Sequence, residues 1–469
     1  MPDNFHYGGE VAFANPLYIL ATLLAGVLVL VLRRDKAAAI FVFAGLIIPL
    51  GQAVTIAGAH FQMVRFLAFF GLLRIFKDRG SKDNAGRKWH PIDHAFFWLA
   101  IISFLATNLQ FRNSGAFIYS TGTLYTALAS YFVARHLIQD EQDVLSASKA
   151  LVAVGAIASA AMVVEQLAHI NLFGVLGGVP LHPAIREDRY RSQAMFAHSI
   201  IAGCYGATLF PLGIWLWIKG QSLKLYARVA IVCSLLMVVT SASSTPIMAI
   251  NGAFLAFMFW PLRKQMRWVR RGFVLMLVTL HMIMKAPVWQ LIARIDVVGG
   301  NSGDHRYQLV NQTIIHFSQW WMYGTADNGD WGWDMWDTAN AFVGTSVGTG
   351  LFGLICFIAL FSRSFRAIGN ARAAVDGDKK KEFELWALGS IIFSQLMVFV
   401  GVSYFDQTIL VWYVFLCFVI VLTARTGLVP ATEPTVIDRF RNLYTRTPAS
   451  QISPESVTTN RTTSLGKTR

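Results

Sequence analysis

Residues 194–218 read AMFAHSIIAGCYGATLFPLGIWLWI, a run without a single Asp, Glu, Lys or Arg. Coiled as a helix rising about 1.5 Å per residue, it is longer than the ~30 Å hydrocarbon core of a bilayer. A barrel strand is excluded, because barrel segments are about ten residues of in/out alternation and none is present here. The run is therefore read as a membrane-spanning helix. Similar runs flank it on both sides: Pro16 to Leu32, Ala37 to Gly58, Phe61 to Phe76, Ile92 to Leu109, Gly115 to Ile138 and Ala147 to Leu167 before it. After it come Ala227 to Ser241, Thr245 to Trp260, Gly272 to Trp289, Ala339 to Phe361, Leu385 to Val402 and Ile409 to Ala424. The expected fold is all-α, a polytopic integral membrane protein of about 12–13 transmembrane helices.

Composition agrees with this reading. Of 469 residues, 55% are hydrophobic and 14% charged, against about 25% charged in an ordinary soluble domain. The net charge of +14 does not point to nucleic acid, which needs a basic face on a folded soluble domain. The basic residues instead cluster between apolar runs: Arg33, Arg34 and Lys36, then Lys77 through Lys88, Arg263 through Arg271, and Arg363 through Lys381. Read as cytoplasmic topology signals, they place the N-terminus outside and the C-terminus inside. One smaller and one large external loop follow, at about 169–193 and 292–338. Residues 1–426 form the membrane domain, and the polar, Pro-, Ser- and Thr-rich stretch 427–469 is expected to be a disordered cytoplasmic tail. The first fifteen residues include Asp3 and Glu10 and lack a basic n-region, so the first helix is expected to stay in the membrane. The cysteines, Cys204, Cys233, Cys356 and Cys417, each lie in an apolar run and are read as packing residues.

Chemistry is concentrated in the two external loops. The smaller one carries Arg186, Arg189 and Arg191 just before the run with His198, against the positive-inside bias. Such arginines suit an anion; the plain alternative is pairing with Glu187 and Asp188 and contact with lipid headgroups. The large loop holds Asp304-His305-Arg306, then Trp320, Trp321, Trp331, Trp333 and Trp336 interleaved with Asp327, Asp330, Asp334 and Asp337. Aromatic faces beside carboxylates suit sugars, although an interfacial aromatic belt has the same composition. Arg65, inside an apolar run, is expected to face an internal cavity and to converge with Arg191 and Arg306 on a dianion such as pyrophosphate. No ligand spacing implies a metal, and no cofactor fingerprint is present.

The chain resembles the O-antigen ligase and polysaccharide polymerase superfamily of bacterial inner-membrane proteins. Three patches carry the resemblance: Arg191-Ser192-Gln193-Ala194-Met195-Phe196-Ala197-His198-Ser199, the turn Thr240-Ser241-Ala242-Ser243-Ser244-Thr245-Pro246, and the stretch from Arg306 through Tyr323-Gly324 to Asn340 and Gly350-Leu351-Phe352-Gly353-Leu354. It implies glycosyl transfer from an undecaprenyl-pyrophosphate-linked oligosaccharide at the outer face, with Arg191 and Arg306 on the pyrophosphate. The growing polysaccharide, membrane lipid and chain-length and export proteins are the implied partners.

The chain departs from the family pattern twice. Its histidine position is Ala339, ahead of Asn340, and the Ser/Thr-rich turn lacks an arginine. The missing arginine favours an exopolysaccharide polymerase over a lipid A ligase. Asp337 is expected to take the acceptor's proton, with Asp334 in reserve; the alternative is that Asp337 only caps the next helix. Arg65, Arg189, His198, His305, Trp333, Trp336 and Asn340 are the expected substrate contacts. The competing function is a transporter or flippase for the same lipid-linked oligosaccharide.

Overall fold

The computed structural model describes residues 14–56, 59–80, 88–294 and 302–424. Within them the chain is mostly helical, with two short antiparallel hairpins. Six helices are long and apolar enough to cross a membrane. They are α4 (Pro91–Phe111), α6 (Glu141–Ala168), α7 (Ser199–Lys219), the segment Gln221–Thr240 that contains α8 (Lys224–Thr240), α13 (Ala341–Ala374) and α14 (Lys379–Gly401). Three shorter apolar helices accompany them: α1 (Pro16–Val31), α9 (Ser244–Met258) and α15 (Ile409–Ala424). The remaining helices are α2 (Arg34–Ile47), α3 (Met63–Lys77), α5 (Ser114–Leu137), α10 (Met266–Ile283), α11 (Ser302–Ile315) and the one-turn α12 (Phe317–Trp320). The tail expected over 427–469 lies outside the described residues.

Helix α7 is central, packed against α6, α8, α9 and α14, with nearly every residue from Ser199 to Leu216 buried. Small residues permit this. A Cβ on Gly206 would lie 2.5 Å from Met237 Cβ of α8, so the two backbones approach only because that position is glycine. Helix α15 is buried all round from Leu410 to Thr423, as expected of a helix that is apolar on every face.

Several sequence boundaries move, each for a local reason. The run Ala37 to Gly58 is not one helix: α2 stops at Ile47 ahead of Pro49 and Gly51, and the chain continues as β1 (Ala53–Ile56) paired with β2 (Ala59–Gln62). Proline cannot continue a helix, and Val54-Thr55-Ile56 is β-branched throughout. The fold remains the mostly helical one expected, with short hairpins as local interruptions. Residues 194–197 form a turn, and α7 begins at Ser199 because the His198 side chain caps it, accepting from Ile200 N at 3.1 Å. Helix α10 starts at Met266, inside the basic cluster, and none of its residues is buried. Helix α13 runs to Ala374 through a break at Gly350, whose φ of 72° favours glycine and where a Cβ would meet Met322 O at 2.7 Å.

The end of the bundle carrying the basic clusters is tied by ion pairs. Arg263 reaches Glu382 at 2.7 Å, Lys219 reaches Glu141 at 2.6 Å and Glu384 at 2.9 Å, and Arg34 reaches Asp143 at 2.8 Å.

Candidate functional site: two arginines on one hydroxyl turn

The Ser/Thr segment 241–245, made of the turn between α8 and α9 and the first two residues of α9, gathers the two arginines that the sequence places 115 residues apart (306 − 191). Arg191 ends strand β4 (Arg189–Arg191), which pairs with β3 (Ala184–Arg186). Ser192 N then donates to Thr240 O at 3.1 Å, joining this hairpin to the end of α8. Arg191 Nη2 donates to Ser243 Oγ at 2.7 Å, and Arg306, from the second turn of α11, donates through Nη2 to Thr245 Oγ1 at 2.8 Å. Both arginines are buried. The hydroxyl protons are directed away, Ser243 Oγ to Ser241 O at 3.0 Å and Thr245 Oγ1 to Gly401 O at 3.4 Å, which leaves oxygen lone pairs for the guanidinium groups.

A hydroxyl does not neutralise a buried cation. Among the described residues no carboxylate pairs with Arg191, and its buried Nε has no hydrogen-bond partner. Burial, with Arg186 adding repulsion, pushes its pKa down to about 10, so the group is still charged at neutral pH. Such a cation is preorganised for an anion. His198 stands in the same field: burial first, then Arg191 and Arg186, lower its pKa to about 4, and its Nδ1 lone pair is already used by the helix cap. It is a neutral capping group here.

The segment from Arg191 to His198 is held by four residues that sequence reading missed. Glu165 of α6 accepts from Gln193 N at 3.0 Å and Ala194 N at 2.9 Å, and Asn171 Nδ2 donates to Ala194 O at 2.8 Å. Gln407 Nε2 donates to Met195 O at 2.8 Å, and Asp406 accepts from Ala197 N at 3.0 Å. All four are buried, and desolvation raises the pKa of Asp406 against hydrogen bonds from Thr408 and Ala197. The signal available in sequence was the position of Glu165 inside an apolar run, where an acid needs a specific partner.

The tryptophan-rich loop divides in two. Trp320 and Trp331 are buried with Leu309, Met335, Val343 and Val347; Trp320 Nε1 donates to Thr313 O at 2.7 Å, and Trp331 stacks on His316. They are scaffold. Trp333 and Trp336 are 85% and 73% exposed and remain available to a ligand. Asp337 does not cap α13: Asn340 does, its Oδ1 accepting from Phe342 N at 2.8 Å and Val343 N at 3.3 Å. This corrects the capping alternative for Asp337 and shows that the Asn340 side-chain oxygen holds the start of α13.

Asp337 faces His305 and Asp334. Desolvation raises its pKa, His305 opposes the shift and Asp334 adds to it. One ligand atom from each of these three residues lies within 4.8 Å of the others, a group that can hold a cation although sequence spacing implied none. His305 Nε2 also sits 3.1 Å from the Asp337 carbonyl oxygen, which ties the start of α11 to this loop.

Two expected members stand apart. Arg65, on α3, lies against α5, its Nε donating to Thr126 Oγ1 at 3.0 Å and its guanidinium abutting Gly122. The hydroxyl turn brings Arg191 and Arg306 together. Arg189 is exposed on β4 and lines a separate cleft beside the turn.

The fold thus defines a mostly helical protein built on helices of membrane-spanning length, with a hydroxyl-anchored arginine pair at one end of the bundle. No model of a known protein family matches the chain, and no curated protein matches it.

Proposed function

We propose that this protein is a membrane glycosyltransferase that polymerises or ligates undecaprenyl-pyrophosphate-linked oligosaccharide repeat units at the outer face of a bacterial inner membrane. The observation that carries this reading is the pair Arg191 and Arg306, buried and held 2.7 and 2.8 Å from the hydroxyls of Ser243 and Thr245. A fixed guanidinium pair in a dry site stabilises charge where it builds, on the departing pyrophosphate. The acceptor hydroxyl attacks the anomeric carbon of the donor sugar, the bond from that carbon to the pyrophosphate oxygen breaks, and the electron pair leaves with the lipid pyrophosphate. The hydroxyl proton passes to Asp337, whose raised pKa improves it as a base. Exposed Trp333 and Trp336, flanking Asp334 and Asp337, offer ring faces to the acceptor glycan. The resemblance in the three sequence patches supports the same reaction.

Purified protein in detergent, given lipid-linked repeat units alone, is expected to form polymer. A transporter or flippase, which would use the same arginines on passing headgroups, forms none, because a micelle has no second side to reach. Absence of product from folded, donor-binding protein overturns the enzyme reading.

A further inference from the structure

Helix α10 starts beside Arg263, which pairs with Glu382 at one end of α9, and the chain after it reaches α11, whose Arg306 meets Thr245 at the other end of α9. Its 18 residues rise about 1.5 Å each, or about 27 Å, close to the ~30 Å hydrocarbon core of a bilayer. It makes this passage without packing on the bundle, for none of its residues is buried. Phe273, Val274, Leu275 and Met276, successive residues that point about 100° apart, are all exposed, so the described residues cover no side of this stretch. A cylinder that is apolar all round is surrounded by lipid tails or covered by a partner.

The charges decide between the two. Arg267, Arg270 and Arg271 have the i, i+3 and i+4 spacing that puts them on one face of α10, and all three are exposed. Among the described residues none of them pairs with a carboxylate, the neighbouring Arg263 and Lys264 having taken Glu382 and Asp376, and no acid stands in the first turn of the helix. Arg271 lies over the ring of Trp268, 5.2 Å from its centroid, and that ring is itself 69% exposed. Three uncompensated cations beside a tryptophan, where a basic loop meets an apolar cylinder, match the headgroup level of a bilayer and call for an anion from outside the chain. A second copy of the chain supplies none. A two-fold axis along the membrane normal would bring the same three arginines to the same depth, cation against cation.

We propose that the arginine face of α10 is a binding site for an anionic phospholipid, with Arg267, Arg270 and Arg271 on its headgroup and the exposed stretch from Phe273 to Val278 along its acyl chains. The planar guanidinium forks suit the two free oxygens of a phosphodiester, and net negative charge on the headgroup sets the preference over a zwitterionic lipid. The site is independent of the reaction proposed above and shares no residue with it.

The test titrates the unmodified full chain in detergent with phosphatidylglycerol and with phosphatidylcholine and counts bound lipid by native mass spectrometry. Phosphatidylglycerol is expected to bind at least about tenfold tighter, an advantage that shrinks as salt screens the arginines. Arg267→Gln, Arg270→Gln and Arg271→Gln together are expected to bring the two lipids within about twofold, with the melting temperature in plain detergent unchanged because none of the three is buried. Lys379→Gln, Lys380→Gln and Lys381→Gln remove the same charge from exposed positions next to Glu382, at the same end of the bundle, and are expected to keep the preference. Equal binding of the two lipids by the unmodified chain overturns the inference whatever the variants do. A preference that survives the arginine changes, or that the lysine changes also remove, overturns it too, since the anion is then held elsewhere or by charge at large. So does a dimer that dissociates when α10 is changed, because a second copy then covers the helix.

Discussion

Arg191 keeps a full charge in a buried setting with one hydroxyl for a partner, so its replacement distinguishes charge from geometry. Lysine preserves the charge but offers a point donor in place of a planar fork. Arg191→Lys and Arg306→Lys are each expected to lower donor affinity and polymer yield by at least about tenfold at equal protein levels, where an exposed ion pair would change by under about 1 kcal/mol. Asp337 separates two roles in the same way. Because Asn340 caps α13, Asp337→Asn is expected to leave thermal stability unchanged, to keep donor binding and to abolish turnover. A base must be deprotonated, so turnover should fall as pH drops through the Asp337 pKa, which desolvation raises from its ordinary value. His198 is expected to behave as a cap alone. Its folded pKa of about 4 lies below the unfolded value near 6.5, so the unfolded chain binds more protons between them and stability is lost as pH falls through that window. A melting series in detergent should show this loss in the parent and not in His198→Asn, which caps without titrating.

Among elements, the decisive one is the segment between β4 and α7, whose backbone is held by side chains from α6, the loop after α6 and the loop before α15. Asp406→Ala removes the acceptor for Ala197 N and for both donors of Thr408. Leaving these buried donors unmet is expected to cost about 3 kcal/mol, read as a lowered unfolding midpoint, with weaker pyrophosphate binding as the Arg191 segment relaxes. Of these supports only Glu165, an acid inside an apolar run, left a signal in the sequence. Asp406 and Gln407 are polar residues at the end of an apolar run, a pattern shared by any loop, and only the fold shows which backbone amides they meet. The helices were far more legible, since a bilayer-length run such as 194–218 leaves little choice of structure. Where legibility failed, hydropathy was blind to backbone: Pro49 and Gly51 break the run 37–58 without lowering its apolar content, and β-branching at residues 54–56 supplied a hairpin in place of helix.

At the scale of the whole molecule, ion pairs and arginines divide the bundle by chemistry. Lys219, Arg263, Glu141, Glu382 and Glu384 neutralise one another at one end, whereas the Ser/Thr turn gathers Arg191 and Arg306 at the ends of helices that lead away from those pairs. If the basic clusters are cytoplasmic, reporter fusions after Asn301 and after Lys379 are expected to report opposite sides. Agreement between the two would remove the large loop, and Arg306 with it, from the outer face. The site was half legible at this scale. Arginines in loops on the wrong side of the charge bias stood out, but Arg65 did not reveal from its sequence context that it packs from α3 against α5.

The turn from Ser241 to Thr245 has a consequence for how this protein can vary. Two cations from distant parts of the chain lean on hydroxyls only two residues apart, so displacing one shifts the backbone that presents the other's partner. Substitutions at 191 and 306 should therefore show epistasis, with a double-mutant cycle coupling of about 0.5–3 kcal/mol in donor binding. A lineage that relaxes one position has already met part of the cost of relaxing the second, and the two arginines are then inherited or lost as one character.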